Sequence, residues 1–161
     1  MPMSARKKLL DTSPFDDIHI LGITTTLPDY KLAWHINNKL QINLVKHDDI
    51  VPNELDGEYA YAFYLFDQGE NSNIFNLVSI NDKGARWLKL PVTTDFLFLI
   101  RNSIEAERLS HILKTIRKIE QLVHAFVIEQ ARIKGMDPLL EQIELHEMEM
   151  MKNVNKRLSR K

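Results

Sequence analysis

Residues 58–66 read Glu-Tyr-Ala-Tyr-Ala-Phe-Tyr-Leu-Phe. Alternate side chains of a strand point to opposite faces, so Tyr59, Tyr61, Phe63 and Leu65 fall on one side and Ala60, Ala62, Tyr64 and Phe66 on the other. Both sides are apolar. A strand of this kind is covered on both faces and belongs inside a layered fold. Phe96 to Ile100 and Leu122 to Ile128 carry the same two-sided apolar character. A sheet built from such strands is too apolar to leave one side wet, so what covers its second face becomes the question on which function turns.

Working outward, Asp16 to Thr26 is a β-branched run around Ile18, Ile20 and Ile23 and predicts a strand. Leu27-Pro28-Asp29 breaks it and opens a helix over Asp29 to Leu40, since proline is tolerated in a first turn. Its apolar face is expected to carry Tyr30, Ala33, Trp34, Ile36 and Leu40, with Lys31, His35, Asn38 and Lys39 toward water. A short strand at Ile42 to Val45 and a polar loop through Pro52 and Gly57 follow. Ile74 to Ile80 predicts another strand, Asn81 to Gly84 a turn, and Arg86 to Leu90 a strand stopped by Pro91, completing a meander. After the buried strand at Phe96 to Ile100, Asn102 and Glu105 have the spacing of a capping box. Leu109, Ile112, Leu113 and Ile116 then mark a helix over Ser103 to Lys118. Beyond Gly135, Asp137-Pro138 starts a helix reaching about Leu158.

Neighbouring strands without intervening helices argue for α+β rather than a doubly wound sheet. The expected architecture is a mostly antiparallel sheet of about 5–6 strands with two packed helices and a long C-terminal helix. A ferredoxin-like topology enlarged by an extra hairpin satisfies this order. Residues 1–135 are expected to form a single α+β domain, frayed over residues 1–14, and residues 136–161 a C-terminal helical extension.

A chain of 161 residues buries roughly 70% of its unfolded surface and needs no disulfide or metal to hold a core. It contains no cysteine, which excludes thiolate chemistry. Its 21 basic and 22 acidic residues leave a net charge of −1, which disfavours nucleic acid as a partner. The apolar runs are too short for a signal peptide or a membrane span, so a soluble cytoplasmic protein is expected, with no membrane partner. Glycines stand singly, with no phosphate-binding loop and no Gly-x-Ser-x-Gly elbow. None of the six histidines has metal-ligand spacing, and His47-Asp48-Asp49 reads as a solvated loop. No cofactor and no metal are expected, and the weight falls against an enzyme.

Two candidate sites remain. Trp34, His35, Arg86, Asp95 and His124 are the polar and aromatic groups able to line a pocket between the sheet and the first helix. Asp95 stands at the mouth of a buried strand, and His124 interrupts an apolar run. In the C-terminal helix, Leu140, Ile143, Met150, Val154 and Leu158 follow a seam-like spacing, broken by Glu147 where another apolar member would fall. Glutamates fill the first half of that helix and lysines and arginines its end. This polarity complements the helix dipole and also lets two antiparallel copies pair. The functional expectation is a non-enzymatic protein-interaction or regulatory module, acting as a homodimer or through a protein partner. The alternative is a small-ligand-binding domain, or an unrecognised enzyme, using the pocket beside the first helix.

Taken together, Leu21-Gly22-Ile23, Asp29-Tyr30-Lys31-Leu32-Ala33-Trp34, the Phe/Tyr-rich strand, Leu77-Val78-Ser79-Ile80-Asn81, Leu90-Pro91 and Asp95-Phe96 resemble the IPExxxVDY family of Bacteroidetes proteins. The resemblance runs from about Asp16 to Glu129. The eponymous motif is altered: Leu90-Pro91 stands for its Ile-Pro, no glutamate follows, and Phe96 replaces its tyrosine. The resemblance implies a small intracellular protein and brings no activity or catalytic residue with it. It also implies that the helix from Asp137 onward is an extension.

Overall fold

A computed structural model describes residues 17–52, 57–69 and 72–159, with side chains described as far as Val154. The frayed stretch expected over residues 1–14 lies outside them. The elements are β1 (Ile18–Thr25), α1 (Asp29–Leu40), β2 (Val45–Ile50), β3 (Tyr61–Asp67), β4 (Ile74–Ser79), β5 (Asn81–Asp82), β6 (Ala85–Arg86), β7 (Phe96–Arg101), α2 (Ala106–Arg117), β8 (Leu122–Ile128) and α3 (Met136–Ser159). The main sheet has six strands in the order β2-β3-β4-β7-β1-β8, and every neighbouring pair is antiparallel. The α+β class is therefore as expected. Within this sheet β8-β1-β7-β4, with α1 and α2 on one face, follows the strand order of the ferredoxin-like βαββαβ unit. The β2–β3 hairpin enlarges it beyond β4.

Both faces are covered from within the chain. On one, Leu32 and Ile36 of α1 and Ile112 and Ile116 of α2 meet Leu21, Ile23, Leu77, Phe96, Phe98 and Ile100. On the other, Met136, Leu139, Leu140 and Ile143 of α3 meet Ile20, Phe63, Val78, Leu97, Leu99 and Ile128. This answers the question posed by the two-sided strands: α3 is the second cover. Leu140 and Ile143, expected to face a partner, are buried in the chain's own core. Met150 packs at the margin of that core, Val154 is exposed, and the side chain of Leu158 lies outside the described residues.

The polar interruption of α3 has a structural cause. Arg101, the last residue of β7, points to the α3 face and is only 1% exposed. Its guanidinium donates to Glu147 Oε1 at 3.0 Å, so Glu147 occupies the inward position as the buried arginine's counter-ion. Nearby, His146 Nε2 donates to the Asp48 carbonyl at 2.7 Å and its ring stands edge-on to Phe63. These contacts fix the helix across the β2–β3 end of the sheet.

Four local expectations change. The strand expected over Ile42 to Val45 runs over Val45–Ile50 instead, so His47-Asp48-Asp49 lies in β2 and not in a loop. Residues 86–90 do not form a third strand of a meander; only Ala85–Arg86 pair back, onto Asn81–Asp82, around a two-residue turn at Lys83 and Gly84. Both turn residues have positive φ, as this tight hairpin type requires. Trp87 and Leu88 then join the same apolar cluster beneath α3, which consecutive residues of a strand cannot do. The capping box at Asn102 and Glu105 does not form: Asn102 is left-handed, its side chain donates to the Ser72 carbonyl, and α2 begins at Ala106. On α1 the inward face is Leu32, Ala33 and Ile36, whereas Tyr30 and Trp34 are each 62% exposed.

Gly22 is the one position in β1 where a side chain is excluded by packing. The Phe126 ring of β8 lies over it, and a Cβ there would sit 2.6 Å from Phe126 Cζ.

Candidate functional site

The loop Thr93-Thr94 delivers Asp95 to the point where β1, β4 and the β5–β6 hairpin meet. The Asp95 N–H donates to the Ile23 carbonyl and its own carbonyl accepts the Ile80 N–H, each at 2.9 Å. Its carboxylate gathers further partners: the Thr25 N–H at 3.1 Å, Asn81 Nδ2 at 3.0 Å and the Arg86 guanidinium at 3.1 Å. Carboxylates satisfied by several donors are held in one geometry, and the charged donor makes the strongest of these bonds. Two of the expected pocket residues, Arg86 and Asp95, are thus brought into direct contact from different segments.

They form one wall of an open cleft of about 660 Å³ between the end of β1, the start of α1 and the β2–β3 hairpin. The cleft exists because Ala62 of β3, and Ala60 just before that strand, leave space beside the first turn of α1. On the same face, one step further along, Tyr64 fills the space under the helix and donates its hydroxyl to Asp29 Oδ2 at 2.7 Å. Lys46 of β2 pairs with the same oxygen at 3.1 Å. Burial would raise the Asp29 carboxyl, but the Tyr64 hydroxyl and the Lys46 ammonium outweigh it and hold the group below the ordinary aspartate value. The Tyr64 phenol moves the opposite way, driven upward by burial and by the adjacent carboxylate.

Four carboxylates line the cleft, Asp29, Asp49, Asp82 and Asp95, against two cations, Lys46 and Arg86. Asp29 and Asp95 are ion-paired. Asp82 accepts the Ala60 N–H at 3.0 Å and makes no ion pair among the described residues, and Asp49 stands exposed at the mouth. The walls therefore carry a negative surplus. Three of the lining hydroxyls donate to backbone carbonyls, Thr24 to Thr93, Thr25 to Gln121 and Ser79 to Asn81, and Thr26 lines the cleft beside them. The arrangement thus presents a carboxylate-rich wall to the cleft.

The other expected pocket residues lie elsewhere. Trp34 is on the exposed flank of α1 with the His35 ring edge-on to it at 5.1 Å. His124 projects from β8, which is an edge strand and not the doubly covered strand its apolar run suggests. Residues missed in the sequence are Asp29, Lys46, Asp49 and Asp82. The Ala60-x-Ala62 alternation beside bulky aromatics was the available signal, because small residues on one strand face leave space above it. Among the described residues, no three histidine, aspartate or glutamate side chains converge as metal ligands, and no helix is long and apolar enough to cross a membrane.

Fold and site together define an antiparallel α+β sandwich of ferredoxin-like strand order with an acidic cleft at the start of α1. Beyond that class the chain stands apart: no family model, curated protein or solved structure matches it.

Proposed function

We propose that this protein is a small-ligand-binding domain whose cleft at the junction of β1, α1 and the β5–β6 hairpin receives a hydrophilic ligand carrying a positive group. The carboxylate surplus within the walled cleft supports this reading above all. Concave sites with a few convergent polar groups are where small molecules bind, and a ligand cation replaces the missing counter-charge. The interaction-module expectation rested on the lack of a catalytic constellation in the sequence and on an apolar sheet face left for another chain. With α3 over that face, the structural feature that still favours it is β8, the last strand of the sheet.

The test is a thermal-shift and calorimetric screen of primary amines, guanidines and quaternary ammonium compounds at low ionic strength. A true ligand at 100 times its Kd adds about 2.7 kcal/mol of stability. Asp49→Asn, at the exposed mouth, is expected to weaken that ligand without altering the unliganded melting point. Flat responses to cations alongside a shift by anions would reverse the charge assignment, and flat responses to both would remove the reading. We also propose, on the residues quoted above, kinship with the IPExxxVDY family and a cytoplasmic setting; neither adds an activity.

A further inference from the structure

The two edges of the main sheet are unequal. At the β2 edge, Lys46, Asp48 and Asp49 are charged, the ladder is irregular between His47 and Ile50, and His146 occupies the Asp48 carbonyl. These are the devices by which edge strands resist pairing. At the β8 edge, Leu-Val-His-Ala-Phe-Val-Ile has no lysine, no proline and no acidic residue, and Val127 is 50% exposed.

The direction of the backbone groups follows from β1, which lies between β7 and β8. The carbonyls of Asp17 and Ile23 accept the Asn102 and Asp95 N–H groups, so odd-numbered residues of β1 turn their backbone toward the β7 side. Leu21 and Ile23 stand opposite Val127 and Ala125, which are therefore non-hydrogen-bonded positions of the β1–β8 ladder. Ala125 and Val127 thus direct their N–H and C=O outward. The Ala125 carbonyl is met by Arg117 Nε of α2 at 2.8 Å and keeps a second lone pair; among the described residues no other partner meets the outward groups of Ala125 and Val127.

We infer that a second copy of this chain adds to the outer edge of β8 in antiparallel register about a two-fold axis at Phe126, fusing two sheets into one. This register sets Ala125 opposite Val127 of the other copy and uses every outward group of both residues. The exposed valine covers the small alanine, and the two Phe126 rings face each other across the axis on the α3 side. It also has charge complementarity. Glu129 continues the alternation of Ala125 and Val127, so it falls diagonally beside Ala125 of the other copy, where Arg117 already lies. Arg117 then meets Glu129 of the second copy, whose partner among the described residues is the exposed Arg132. The irregularity at Thr24/Thr25, opposite Val123, ends the straight part of the strand, so the contact is short. It is smaller than the ~1,600 Å² of standard interfaces, and affinity on the order of micromolar or weaker is expected.

The test is sedimentation velocity of the full chain from about 5 to 500 µM, with amide exchange read at single residues; a tenfold change in Kd corresponds to about 1.4 kcal/mol. A shift from the 18.8 kDa monomer toward a dimer is expected, with the Ala125 and Val127 amides gaining protection as concentration rises. Val127→Lys should weaken association at least tenfold while leaving the circular dichroism spectrum unchanged. Glu129→Arg should weaken it as well, and Arg117→Glu combined with Glu129→Arg should restore it. An 18.8 kDa species at every concentration would overturn the inference. So would a dimer indifferent to Val127→Lys, or protection of this edge only by an unrelated extended peptide.

Discussion

Replacing Glu147 by leucine removes a carboxylate that pairs with the buried Arg101 beneath α3. Breaking a buried ion pair by removing one partner costs about 3–5 kcal/mol, because a charge stays desolvated and uncompensated. The lower end applies here, since Glu147 retains some solvent contact and Arg101 makes further contacts. A loss of about 3 kcal/mol is a large share of the ~5–15 kcal/mol that holds a domain of this size. It corresponds to a melting point lower by roughly 6–12 °C at 2–4 °C per kcal/mol. Urea unfolding followed by far-ultraviolet circular dichroism gives the free energy, and an unchanged m-value shows that both states keep their exposed area. The decisive companion is Arg101→Met with Glu147→Leu. Exchanging both charges for apolar groups of similar volume is expected to return stability to within about 1 kcal/mol of the parent. A single variant within ~0.5 kcal/mol of the parent, or a double variant less stable than the single, refutes the account of Glu147 as the counter-ion of a buried arginine.

Three further outcomes follow from the packing. Gly22→Ala drives a methyl into the Phe126 ring and should cost about 1–3 kcal/mol, with Phe126→Leu in the same chain recovering part of it; urea midpoints decide. Ile143→Ala should cost about 2–5 kcal/mol by opening a cavity between α3 and the sheet, and a chain ending at Ile133 should lose cooperative melting and bind a hydrophobic dye. Because Asp29 is held below its unfolded value, its contribution is complete above that value, near pH 3.9, and is lost as pH falls through the lower folded one. Asp29→Asn should therefore flatten the acid limb of the stability–pH curve by lowering the neutral plateau, while stability at the most acidic pH changes least.

The elements of this fold were legible where periodicity was strong and packing agreed with it. The two-sided strands at Phe63 and Phe98 and the helix at Ile112 and Ile116 sit where their spacing put them. Spacing failed where one pattern served two environments. Leu122 to Ile128 reads like a central strand, yet it is an edge, because only tertiary order decides which strand has one neighbour. The spacing of Leu140 and Ile143 suits a partner helix and the chain's own sheet equally well, and Glu147 decides between them only once Arg101 is seen beneath it. The candidate site was half legible. Asp95 and Arg86 drew notice as charges bordering strands, whereas Asp29 and Lys46 looked like ordinary solvated residues until α1 and β2 brought them to one cleft.

The place of β1 has a kinetic consequence. Residues 18–25 pair with residues 96–101 on one side and 122–128 on the other, so this strand waits for partners that lie far along the chain. Contacts of such sequence separation carry a loop-closure cost before they give any stability, and they slow folding. The β2–β3–β4 region, whose partners lie close along the chain, is placed to organise first, with β1 inserting between β7 and β8 late. Until it does, the apolar run Ile18 to Ile23 has no partner strand. Destabilising β1 should therefore accelerate unfolding more than it slows folding, and aggregation during refolding should begin at this strand.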